Sequence, residues 1–131
     1  METDRNEFLF HVMCSAIEGG IGYWAEIKDY KWGSNEGPYK LGWNLPDAER
    51  GSYSQAKVRE ADDYEVGPWR SLTFATIERG IKRLVTGEYS LNQDMMDCIL
   101  GGSATNEAGN IDALCADAIV QVALLNKIVY G

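Results

Sequence analysis

The stretch Ile21-Gly22-Tyr23-Trp24-Ala25-Glu26-Ile27-Lys28-Asp29-Tyr30-Lys31-Trp32 decides the fold class. Ile21, Tyr23, Ala25 and Ile27 recur at period two, and Trp24, Glu26, Lys28 and Tyr30 fall on the opposite side. Side chains of a strand alternate between faces, and aromatic and β-branched residues suit a half-buried sheet. The spacing predicts a strand over 21–32 with one buried face.

Upstream, Phe8, Leu9, Val12, Met13, Ala16 and Ile17 repeat at three- and four-residue spacing, the stripe of an amphipathic helix. Asp4 and Glu7 resemble a capping box at its start, and Gly19-Gly20 reads as its stop. Gly19-Gly20-Ile21-Gly22 runs from helix to strand, the reverse of a phosphate-binding loop, so a turn is expected.

Downstream, glycine, proline, serine and asparagine punctuate a loop over 33–55, long for a domain of this size. A second strand is expected over 54–61, paired with the first as an antiparallel ribbon. Phe74, Ile77, Ile81, Leu84 and Val85 mark a helix from Thr73, with Gly80 as a point of close packing and Gly87 as its end. A shorter helix is expected over 92–100, closed by Gly101-Gly102, then a linker over 103–110. A largely apolar helix over about 111–125 follows, then a short terminal strand over 127–130. The expectation is one domain over 1–131, α+β, with a small antiparallel β-ribbon or sheet packed against about four α-helices.

The composition agrees. A chain of 131 residues, 45% hydrophobic and 24% charged, suits a globular domain with its own core. No apolar run reaches the ~20 residues of a membrane-spanning helix. The polar opening Met1 to Glu7 does not read as a secretory signal. A cytoplasmic protein is therefore expected. Cys14, Cys98 and Cys115 are widely spaced, as suits buried reduced thiols rather than a zinc site or disulfide framework. No cofactor and no metal are expected.

The net charge is −8, which argues against direct binding of duplex nucleic acid. The charge is uneven: residues 1–27 carry −4, residues 28–83 carry +1 and residues 84–131 carry −5. His11 is the one histidine, and no serine or cysteine motif around it suggests a nucleophile for a general base to serve. Asp62, Asp63 and Glu65 match no calcium loop and read as a solvated turn. A small hydrolase built on His11, Asp62 and Asp63 is the weakest of the functional readings. Asp94, Asp97, Asp112 and Asp117 lie near helix starts, where the helix dipole favours carboxylates.

Aromatic residues supply the strongest functional signal. Of 14 Phe, Tyr and Trp, nine lie between residues 23 and 69, interleaved with Lys28, Lys31, Lys40, Arg50, Lys57 and Arg59. Rings stack on bases and cations meet phosphate. Tyr23, Trp24 and Trp43 are the candidates for the base, and Arg59, Arg70, Arg79 and Arg83 for phosphate.

Glu18 to Ala25, Thr76 to Ile81, and Ile111 to Leu124 with Tyr130-Gly131 resemble a family of small bacteriophage and prophage accessory proteins. The resemblance implies an origin and no catalytic residues. It implies action by binding rather than turnover, against a host defence system in the manner of an anti-CRISPR inhibitor. Acidic surfaces would then meet a nucleic-acid-binding effector of the host. The alternative is a sponge that sequesters a cyclic or other signalling nucleotide in the aromatic and basic middle. The apolar final helix could also supply a homo-oligomer face.

Overall fold

The computed structural model describes residues 2–32, 54–61 and 66–131. Trp43, the loop read over 33–55 apart from its last two residues, and Asp62, Asp63 and Glu65 lie outside them. Among the described residues there are four α-helices and one three-stranded antiparallel sheet, an α+β fold. The helices are α1 (Glu2–Ser15), α2 (Phe74–Val85), α3 (Gln93–Thr105) and α4 (Ala113–Leu125). The strands β1 (Ala25–Trp32), β2 (Ser54–Glu60) and β3 (Arg70–Thr73) lie in the order β1-β2-β3.

Helix α4 is the axis of the core. Nine consecutive residues, Cys115 to Ala123, are buried, as expected of a helix that is apolar nearly all round. Its apolar surface is therefore enclosed within this chain, and Leu114 is left exposed at its start. Phe8, Val12, Met13 and Ala16 of the first segment and Ile77, Ile81 and Leu84 of α2 join the same core. Gly80 lets α2 approach α4: a Cβ there would stand 2.5 Å from the Ile119 carbonyl oxygen. Ala56, Val58 and Leu72 close the core from one face of the sheet.

Several boundaries differ from the sequence pattern. Helix α1 begins at Glu2, so Asp4 and Glu7 lie inside it. The helix widens into a π turn over Ala16–Gly20 before the chain turns. Gly20 is needed there for close approach, not for a left-handed cap: a Cβ would meet the Ala113 carbonyl oxygen at 2.7 Å. Gly101 and Gly102 do not stop α3, which runs on to a left-handed cap at Asn106 (φ 58°). Strand β3 has no counterpart in the pattern, because four residues are too few to show a period. Thr73 ends it and caps α2, its hydroxyl accepting from Thr76 N–H while the Thr76 hydroxyl accepts from Thr73 N–H. Residues 127–130 form no strand and hang from a side chain of α4 instead.

Arg5 ties the helices together. Its guanidinium pairs with Glu78 of α2 and donates to the Ser103 carbonyl (2.7 Å) and the Asn106 side chain (3.0 Å) at the end of α3. The N-terminal helix is thus fixed to two others through one planar fork.

Candidate functional site

The turn before β1 sets up the first cluster. Trp24 and Ala25 N–H both donate to the Ile21 carbonyl, so residues 21–24 coil instead of extending. Alternation fails here. Trp24 is 2% exposed and Tyr23 is 59% exposed, so Trp24 is buried with Ile21 although the pattern puts them on different faces.

Both rings converge on Asp117, one turn into α4. Trp24 Nε1 donates to Asp117 Oδ1 (2.8 Å), and Tyr23 Oη donates to Asp117 Oδ2 (2.6 Å). Gln121, one turn further along, donates to Oδ1 (2.9 Å). Its amide oxygen accepts from Val129 N–H (2.8 Å) and Tyr130 N–H (2.9 Å), and its nitrogen also reaches the Tyr130 carbonyl (3.2 Å). One side chain therefore holds the tail by its main chain. The Tyr130 ring stacks on Trp24 with centroids 5.1 Å apart and planes 4° apart. Trp24 is covered on its edge and on a face, and offers no surface to a base.

Beside this cluster lies a cleft of about 280 Å³, lined by Tyr23, Leu91, Met95, Leu114, Asp117 and Tyr130 among others. Desolvation of the Tyr23 hydroxyl, then its hydrogen bond to the Asp117 carboxylate, push that phenol up to about 12. The ring is mostly in water, but its polar end is turned into the cluster.

The second cluster is on the sheet face turned away from the helices. Register places Glu26 opposite Arg59, Lys28 opposite Lys57, and Lys57 opposite Ser71. Arg59 Nη2 donates to Glu26 Oε2 (2.6 Å), and Lys57 Nζ donates to Ser71 Oγ (2.6 Å). Trp69, just before β3, lies beneath two cations: Lys28 Nζ is 4.2 Å and Arg59 Cζ 4.5 Å from the ring centroid. Like charges directly opposite across a ladder are destabilising. Lys28 and Lys57 are held in that arrangement on an otherwise acidic chain.

The arginines expected to act together are dispersed. Arg59 belongs to the outer sheet face. Arg70 pairs in register with buried Val58, so it points to the other side. Arg79 donates to the Ala123 carbonyl (3.2 Å), and Arg83 to the Val122 carbonyl (3.0 Å) and Asn126. Both serve the unsatisfied carbonyls at the end of α4, where a cation also complements the dipole. With Lys82 they line a shallow cleft of about 500 Å³.

Asp117 is a correction to the sequence reading. It is a buried hub, not a carboxylate at a helix start; Asp112 has that role, accepting from Cys115 N–H (2.8 Å). The available signal was Asp117 and Gln121 at i and i+4, polar residues in the most apolar helix of the chain. Trp69 with Lys28 and Lys57 was legible only as part of a long aromatic and basic segment. His11 is exposed on α1, 3.8 Å from Glu7. The thiols are free, but of the three expected to be buried only Cys115 is; Cys14 is half-buried and Cys98 exposed. Burial first, then Glu18 for Cys14 and Asp112 for Cys115, push those two thiols up to about 12. Among the described residues no group of three or more metal-ligating side chains is assembled, and no helix is long and apolar enough to cross a membrane.

The chain matches no protein-family model, no curated protein and no solved structure.

Proposed function

We propose that this chain acts by binding rather than turnover, and that it takes a nucleotide on the outer face of its sheet. The observation that carries this reading is Trp69 beneath Lys28 and Arg59, with Lys57 on the neighbouring strand. Phosphate would draw the cations off the ring and relieve the Lys28–Lys57 repulsion, and the freed indole face would take the base. Magnitudes favour the exchange. An exposed cation–π contact is worth about 0.5–1 kcal/mol, and the exposed Arg59–Glu26 pair adds little. A base stacked on an aromatic ring contributes about 1–3 kcal/mol, and the charge-assisted phosphate contacts are additional. The resemblance to small phage and prophage proteins gives the setting: sequestering a signalling nucleotide would blunt a host defence.

A thermal-shift screen against mono-, di- and cyclic nucleotides tests this. Ligand at about 100 times its dissociation constant adds roughly 2.7 kcal/mol, a midpoint rise of several degrees for a domain of this size. Trp69→Ala should remove the rise. No rise with any nucleotide would sink the proposal.

A second reading rests on the acids of the helical layer. Glu18, Asp94 and Glu107 are exposed and have no ion pair among the described residues. They suit a protein inhibitor that docks on the basic channel of a nucleic-acid-binding host effector. Exposed charge attraction is screened over ~8 Å at physiological ionic strength. Such a complex should weaken steeply with salt, and a salt-insensitive complex would count against it.

A further inference from the structure

Asp117 is 3% exposed, yet it lines the 280 Å³ cleft. Among the described residues it accepts from Tyr23, Trp24 and Gln121, all neutral donors. Among the described residues no cation pairs with it. A buried carboxylate is normally matched by an opposite charge or a metal, because neutral dipoles replace only part of its hydration. The Gln121 amide is oriented by two main-chain N–H groups on its oxygen, so its nitrogen faces Asp117 as a donor.

The carboxylate is not saturated. Among the described residues Oδ1 accepts two hydrogen bonds and Oδ2 one, which leaves Oδ2 with a second acceptor direction. Tyr23 and Tyr130 also line the cleft, and an aromatic face attracts cations; Tyr130 has one of its faces on Trp24. Leu91, Met95 and Leu114 supply apolar walls. The volume is close to the lower end of ligand pockets, about 300–1,000 Å³.

We propose that this cleft is a binding site for a primary alkylammonium ion. The ammonium group donates to Asp117 Oδ2 between the two tyrosine rings, and the alkyl body lies against Met95 and Leu114. The chemistry is shared by a free amine and by a lysine side chain presented on a partner. The site is separate from the sheet face and does not depend on nucleotide binding there.

n-Butylammonium chloride and its neutral analogue n-butanol are compared at equal millimolar concentration, with sodium chloride as ionic control. The thermal midpoint and the Trp24 indole N–H resonance are followed. The ammonium should raise the midpoint and shift the resonance, and butanol should do neither. Equal responses to the two, or none to either, would overturn the assignment. Asp117→Asn should abolish the ammonium response. Because that change touches a buried network, Leu114 at the mouth, 62% exposed, gives a second probe. Leu114→Lys should weaken ammonium binding several-fold and Leu114→Glu should strengthen it, with folding unchanged. Affinity indifferent to both changes would overturn the assignment as well. A blocked Gly-Lys-Gly peptide distinguishes the sources: tighter binding than butylammonium assigns the site to a side chain, and weaker binding to a free amine.

Discussion

Trp24 and Trp69 stand at the two ends of the aromatic-rich segment and lie in opposite environments. Trp24 has its N–H on Asp117, a face on Tyr130 and 2% of its surface in water. Trp69 lies half-buried on an outer sheet face beneath Lys28 and Arg59. Around Trp24 the indole itself is enclosed, by a buried helix and the chain's own tail. Around Trp69 two lysines oppose each other across the ladder, and the ring meets cations instead of a carboxylate. Aromatic residues beside polar ones are thus ambiguous until their partners are known: one indole here is enclosed by the chain's own groups, and the other lies half-buried beside cations.

The comparison breaks most sharply on the two alanine substitutions. Trp24→Ala should cost about 3–5 kcal/mol, the usual range for removing a buried large aromatic, read as a large fall in the urea midpoint. Trp69→Ala should cost clearly less, since the ring is only half-buried and each of its cation contacts is worth about 0.5–1 kcal/mol, while removing the nucleotide response. Similar losses from both would erase the distinction between the regions.

Gly80→Ala comes next. Its Cβ would stand 2.5 Å from the Ile119 carbonyl oxygen, and overpacking of this kind costs about 1–3 kcal/mol. Stability measured by calorimetry should fall while ligand responses persist, since neither cluster contains this residue.

Lys57→Glu sharpens the comparison through opposite signs. An opposed Lys–Glu pair in place of Lys28–Lys57 should raise stability by about 0.2–1 kcal/mol. Nucleotide binding should fall at the same time. Loss of both, or gain of both, would show that the opposed lysines are not held for an anion.

The smallest effect concerns pH. The Tyr23 phenol is raised to about 12 in the folded chain from an ordinary value of 10.0. Its contribution is complete below pH 10 and is lost as the pH rises towards 12, because the unfolded chain ionises first. Tyr23→Phe should flatten this part of the stability profile, followed by circular dichroism. An unchanged alkaline slope would mean that the Asp117 contact does not shift the phenol.

Much of the fold was legible in the sequence because it is written in local periods. The stripe of Phe8 to Ile17, the stripe of Phe74 to Val85 and the apolar run through Val122 each announce a helix that must bury a face. Pairing of the first two strands followed from their alternation and proximity. Strand β3 was too short for a period, and the tail after Asn126 takes its shape from distant partners, Gln121, Tyr89 and the Trp24 ring, rather than from a local pattern. The candidate site was less legible. The segment rich in rings and cations was evident, yet its partition was not: Arg59 and Arg70 are eleven residues apart in sequence and on opposite sides of the sheet.

What the amino-acid order determined by itself is therefore the class of the fold, the helices and the acidic ends, since propensity, patterning and net charge are properties of neighbouring residues. What only the tertiary structure decided is which aromatic faces inward. A single coiled turn at residues 21–24 buries Trp24 and exposes Tyr23, and that turn is held by Asp117, more than ninety residues further along the chain. Contacts of that range carry no sequence period, because they depend on how complete elements meet rather than on how each one repeats.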